Sequence, residues 1–216
     1  MSIREKAYIL LRDAIIDGTL KQGERMVEDN LAIQYSVSRT PLREAIHKLE
    51  LDGFLQRLPS RGLVVAELSI KEAEELYQVR GYLEGLAART FTENMTSDKK
   101  NIIETYRKNV ILYHDNGSVE EVLEACRQQH NYIRENCGHK ICSEYIQKMD
   151  LHIARYRRLG VRESGRTEQA YLEHLTILDD ILKENADAAE DTMRNHIIVS
   201  GKAVIDAIGR NLQTVN

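Results

Sequence analysis

The stretch from Val27 to Gly62, VEDNLAIQYSVSRTPLREAIHKLELDGFLQRLPSRG, restricts the fold more than any other part of the chain. It reads as two short amphipathic segments around a tight turn, followed by a small basic hairpin. Leu31 and Ala32 share one face of the first segment, and Tyr35-Ser36-Val37-Ser38 interrupts it. The second segment repeats apolar residues at Leu42, Ala45, Ile46 and Leu49, the spacing of a helix with one apolar side. Arg39, Arg43 and His47 recur every four residues on its other face. Ser38 and Thr40 are candidate caps, and Pro41 suits a first turn but not a helix interior. Together these features specify a helix-turn-helix with its apolar face down and its basic face out. Such a face is suited to the major groove of DNA.

The flanking residues complete a small domain. Ile3, Ala7, Leu10, Leu11, Ala14 and Ile15 form one helical stripe that Gly18 ends. Phe54–Arg57 and Leu63–Ala66 read as two short strands, with LPSRG supplying the turn between them. Residues 1–66 are therefore expected to form a winged helix-turn-helix, with 67–68 as a linker. From 69 to 216 the pattern is helical throughout, and no proline follows Pro59. Caps at Ser69, Thr96 and Ser118, and stops near Gly117, Gly138, Gly160 and Gly209, divide it into six helices. The fold class expected is mainly α: an N-terminal winged helix-turn-helix with a β-hairpin wing, then a C-terminal six-helix antiparallel bundle.

Charge has to be divided before it is used. The formal net charge is −4, made of +1 on residues 1–66 and −5 on the rest. A slightly acidic chain does not advertise a nucleic-acid binder, but the charge on one face decides. Arg39, Arg43, Lys48, Arg57 and Arg61 cluster around the turn and wing. Three cysteines without disulfide-framework spacing suit a reducing compartment. The start carries charges within its first dozen residues, and no apolar run is long enough for a membrane span. A cytoplasmic protein is expected.

The segment from Ile9 to Ala66, ILLRDAIIDGTL through RLPSRGLVVA, resembles the winged helix of GntR-type regulators. EELYQVRGYLEGLAART resembles the opening helix of the FCD ligand-binding domain of the FadR branch, and EHLTILDDIL and MRNHI resemble its later helices. Six helices rather than seven are similar to the VanR-like subgroup. The resemblance implies a homodimeric, ligand-responsive bacterial transcription regulator, with repression the expected mode, whose partners are operator DNA and a small carboxylate effector. It implies that Ser38, Arg39, Thr40 and Arg43 contact the operator. Hydroxyls and helix-end N–H groups would hold phosphates. Arg43, with Arg39 second, would place its fork on guanine O6 and N7. Arg57 and Arg61 on the wing would reach backbone or minor groove. Fatty-acid-responsive members carry a DNA-contacting arginine where this chain has Asp29, which implies a different operator.

The same resemblance implies a divalent metal in the bundle, held by three histidines and one aspartate. His130, His174 and His196 match the histidine positions, and Cys126 stands where the family has its aspartate. A Cys–His pair four apart shares a helix face, and a thiolate would favour zinc over manganese or magnesium. Zinc is the metal expected, with nickel or manganese as alternatives; Cys126 is open between ligand, buried spectator and redox-sensitive group. His114, His139 and His152 carry no expectation of metal. Arg80 is expected either to hold a ligand carboxylate in its fork or to pair with Glu84 one turn on. Tyr132 and Tyr156 are candidates for the same cavity wall. Two other function classes fit parts of the pattern: a regulator that senses the metal itself, and a metal-dependent hydrolase or lyase. No HExxH, GxGxxG or Walker A stretch supports an enzyme.

Overall fold

The computed structural model describes residues 1–160 and 166–213, with side chains described except at 157–160 and 211–213. The chain separates into two compact units, Met1–Ser69 and Ile70–Asn216. The first contains α1 (Ile3–Ile16), α2 (Glu28–Gln34), α3 (Arg39–Leu51), β1 (Leu55–Leu58) and β2 (Gly62–Val65). The second contains α4 (Ile70–Glu93), α5 (Ser97–Asp115), α6 (Val119–Asn136), α7 (Lys140–Gly160), α8 (Arg166–Leu182) and α9 (Ala186–Gln213).

In the first unit, α1 begins where the Ser2 side chain accepts a hydrogen bond from Glu5 N–H. Leu42, Ala45, Ile46 and Leu49 of α3 are all buried, packed with Leu11 of α1 and Phe54 as core. Fully burying each large member of that stripe stabilises the unit by about 1.5–3 kcal/mol. The turn between α2 and α3 is made by Ser36, which takes a left-handed conformation at φ 52°. Ser38 is the N-cap of α3 by position, but its side chain makes no capping hydrogen bond, and Thr40 lies inside the helix. The hydroxyl of Ser38 is therefore exposed and uncommitted by capping. The wing is antiparallel, with Leu55 opposite Val65 and Leu58 opposite Gly62. Its strands start one residue away from the positions expected, and Arg25 extends the pairing through a bridge to Val64.

In the second unit the six helices fall close to the positions read from caps and glycines. Thr96 caps α5 by accepting from Lys99 N–H. Ser118 precedes α6 without a side-chain cap bond. Helix α8 stops at Leu182, because Glu184 turns left-handed at φ 56° and the Asn185 side chain accepts from Ala188 N–H to open α9. One end differs from expectation. Gly209 keeps a helical conformation, so α9 runs through it. Helices α4 and α9 form the most extensive pairing among the described residues of the unit. Small residues allow it: a Cβ at Gly85 would lie 2.9 Å from the carbonyl oxygen of Glu190.

Candidate DNA-reading face and candidate metal centre

The exposed side of α3 carries Ser38, Arg39, Thr40 and Arg43, and the wing adds Arg57 and Arg61; all six are exposed. Burial of Leu42, Ala45 and Ile46 on the opposite side fixes this orientation, since residues three and four apart share a helix face. Three of the four arginines are held by carboxylates. Arg43 Nε donates to Glu28 Oε2 at 2.7 Å, and Arg39 Nη2 lies 3.1 Å from Asp29. Arg57 lies 2.9 Å from Glu50 and 4.0 Å from Glu28. Glu28 thus stands between the reading helix and the wing, a role not apparent from the sequence order. Asp29, which departs from the family pattern, becomes the partner of Arg39.

The bundle brings His130 of α6, His174 of α8 and His196 of α9 together. They are 8%, 5% and 6% exposed, and one donor atom from each lies within 4.8 Å of the others. Burial pushes His130 down to about 4, although Glu84 pulls the other way. Burial first, and then the nearness of His196, His130 and Arg166, holds His174 well below the usual histidine range. Both rings are therefore neutral near pH 7, the form that ligates metal. His196 is oriented from outside: its Nδ1 lies 2.7 Å from Glu173 Oε2. Glu173 is in turn gripped by the fork of Arg166, with Nη1 and Nη2 donating at 2.9 and 2.7 Å. Burial would raise the Glu173 carboxyl, but His196 and Arg166 hold it down at about 2. Nδ1 of His130 and Nδ1 of His174 are buried without a hydrogen-bond partner. Three imidazoles from three helices, one already locked by a carboxylate, fit a borderline-soft divalent ion with open coordination positions.

Cys126 is not part of this donor cluster. It lines the adjoining cavity but packs among Val110, Val122, Ala125 and Tyr171, and burial pushes its thiol up to about 12. Cys126 thus stands outside the histidine cluster, in an apolar setting that favours the protonated thiol, the weaker ligand form.

A cavity of about 220 Å³ adjoins the histidines, and Arg80, Arg127, Arg134 and Arg166 all line it. Among the described residues its wall contains no carboxylate. Arg80 meets both descriptions given from the sequence: it lines the cavity, and its Nη2 donates to Glu84 Oε1 at 2.9 Å. It also lies 3.1 Å from Asp150 of α7. Tyr132 and Tyr156 do not line this cavity. Tyr132 packs edge-on against Phe91 and beside Tyr106, each with ring centroids 5.8 Å away, because α6 turns that side toward α4 and α5. Tyr156 is buried with its hydroxyl donating to Glu72 Oε2 at 2.8 Å. His114 stacks on Tyr171 with ring centroids 3.7 Å apart, and His139 Nδ1 accepts from Cys142 N–H. The residues not anticipated are Arg134, Asp150, Arg166 and Glu173; Glu84 is anticipated only as the partner of Arg80. Only Arg166 and Glu173, seven apart on one helix face, left a signal in the sequence.

A winged helix-turn-helix with a basic reading face, in one chain with a helical bundle that holds a polar cavity, defines a DNA-binding regulator. Residues 3–65 match the bacterial regulatory proteins of the gntR family, and residues 75–198 match the FCD domain. The chain belongs to the GntR family of transcriptional regulators, in its FCD-domain branch. It is similar to the uncharacterized HTH-type transcriptional regulator YdhC of Bacillus subtilis, 28% identical over 190 residues, covering 88% of this chain and 85% of that protein. The HTH-type transcriptional repressor RspR of Escherichia coli is 22% identical over 195 residues, 90% of this chain and 86% of that one. Among solved structures, E. coli McbR/YncC has the same fold, with a TM-score of 0.71 at 19% identity over the whole of both chains. These relatives are regulators, and this chain is a transcription regulator, not an enzyme. No helix among the described residues is long and apolar enough to cross a membrane.

Proposed function

We propose that the protein is a homodimeric repressor whose operator affinity is set by a small organic acid bound beside a zinc ion in the bundle. The observation that carries this reading is the junction of a three-histidine cluster with a cavity lined by four arginines and no described carboxylate. His130, His174 and His196 would hold the ion, leaving coordination positions open toward the cavity. A carboxylate entering there would meet the metal and the guanidinium groups together, the pairing best matched to its charge and planar geometry. Ser38, Arg39, Thr40 and Arg43 would fix and read the operator, with Arg57 and Arg61 on the flanking backbone or minor groove. Two copies are expected because paired half-sites mirror a twofold protein.

The test is elemental analysis of the purified full-length chain, followed by operator binding with and without added acids. One zinc per chain is expected, absent in His174→Ala. A panel of short mono- and dicarboxylates is expected to contain at least one that weakens operator binding, and only in the zinc-loaded protein. Wild-type protein that never takes up a divalent ion overturns the metal reading. Release of the operator by zinc alone, with no acid effective, replaces the effector reading with that of a metal sensor.

A further inference from the structure

We infer that Glu84 is the positioning residue of His130, shared between that imidazole and Arg80, so that a ligand occupying Arg80 tightens metal binding. The inference rests on the metal reading above and deepens it by assigning the coupling to one side chain.

Glu84 lies on α4 and is 0% exposed. Its Oε1 accepts from Arg80 Nε at 3.1 Å and Nη2 at 2.9 Å. Its Oε2 is buried without a hydrogen-bond partner, 3.6 Å from Arg134 Nε and 3.9 Å from His130 Nδ1. That Nδ1 is itself buried and unpaired. An unpaired acceptor and an unpaired donor-capable nitrogen at 3.9 Å are one short movement from a bond, since closing by about 1 Å gives an ordinary N–H···O contact. His196 already shows the closed arrangement, with Nδ1 at 2.7 Å from Glu173. In both rings a carboxylate at Nδ1 selects the tautomer that leaves the Nε2 lone pair for a metal. A metal on Nε2 makes Nδ1–H the better donor, so ligation and the carboxylate bond strengthen each other.

What restrains Glu84 is the arginine side. Arg80 also reaches Asp150 at 3.1 Å, and Arg134 pairs with Asp150, so two guanidiniums and two carboxylates form a closed quartet. Both guanidiniums stand on the cavity wall. An incoming carboxylate that takes the fork of Arg80 competes with Glu84 Oε1 and leaves the Glu84 carboxylate freer to turn to His130. By linkage, the metal then strengthens binding of that carboxylate by the same factor.

The test uses zinc alone as the probe on the full chain, by competition with a chromophoric chelator. Glu84→Gln is expected to keep one zinc per chain but bind it about 10–100-fold more weakly. Arg80→Met, which releases Glu84, is expected to bind zinc more tightly than wild type, and that gain is expected to vanish in the Arg80→Met/Glu84→Gln double variant. A merely structural role for Glu84 predicts weakening in both single variants, and that result overturns the inference. Histidine ¹⁵N NMR of zinc-loaded wild type covers the case of a variant that fails to fold: His130 is expected to be ligated through Nε2 with Nδ1 protonated. Ligation through Nδ1 overturns the role of Glu84 while leaving the metal site intact. No zinc uptake by wild type overturns the metal reading and the inference together.

Discussion

At the scale of the residue, Arg43 has two possible partners and cannot serve both. In the DNA-free protein its Nε is given to Glu28 at 2.7 Å. An exposed ion pair of this kind shifts an equilibrium by less than about fivefold. A guanidinium fork on a guanine discriminates by about five- to 150-fold, so the base wins when it is present. Under the proposed operator contact, Glu28 would be a modest competitor for Arg43 that lowers affinity for any duplex whose binding draws Arg43 away. Glu28→Gln is expected to raise affinity for a selected operator by up to about fivefold in fluorescence anisotropy. The gain is expected to disappear in the Arg43→Ala background. If Glu28→Gln helps equally in that background, Glu28 acts on the DNA phosphates directly and not through Arg43.

At the scale of the element, the bundle depends on how closely α4 and α9 approach. Gly85 has no room for a methyl group, whose carbon would stand 2.9 Å from the Glu190 carbonyl oxygen. Gly209 sits in the same helix as Glu190 with a helical backbone and, among the described residues, no atom within 4 Å of where its Cβ would stand. Gly85→Ala is therefore expected to destabilise the bundle by about 1–3 kcal/mol through overpacking. For a chain of this size that lowers the melting midpoint by about 2–12 °C in circular dichroism. Gly209→Ala is expected to move it slightly upward, since it removes only unfolded-chain freedom. Equal shifts for both variants would show that helix propensity, not close packing, governs the two positions. The helices themselves were legible because caps, glycines and apolar spacing act within one segment. Thr96 and Gly117 marked the ends of α5 from the sequence alone. The inter-helix chemistry was not legible. Arg80 and Glu84 look like a surface pair four apart, and nothing along α4 says that Arg134 of α6 and Asp150 of α7 complete the quartet. Tyr132 and Tyr156 lie off the cavity, and Cys126 lines it outside the histidine cluster, for the same reason: spacing gives a face, but only packing says what that face meets. The three histidines were placed by family resemblance, and no feature of their spacing along the chain would have gathered them.

At the scale of the whole molecule, the chain keeps its two tasks in two compact units, each with its own core. The reading face is held by Leu42, Ala45, Ile46 and Leu49 in the first unit, whereas the histidines hang from α6, α8 and α9 in the second. Damage to one site should therefore leave the other's chemistry intact, while regulation, which needs both, is lost either way. This gives a double dissociation. Arg43→Ala is expected to bind zinc as wild type does and to lose preference for the selected operator over random duplex. His174→Ala is expected to lose zinc and keep operator affinity at the level of the metal-free wild type, while no longer responding to any acid that releases the wild type. Both are read with the same labelled duplex, the zinc content being measured in parallel. A His174→Ala protein that cannot bind the operator under conditions where metal-free wild type can would mean that the bundle holds the reading units in place even without its ligands. In that case the metal cluster is a structural strut of the DNA-bound state, and the effector must act by some route other than occupancy of that centre.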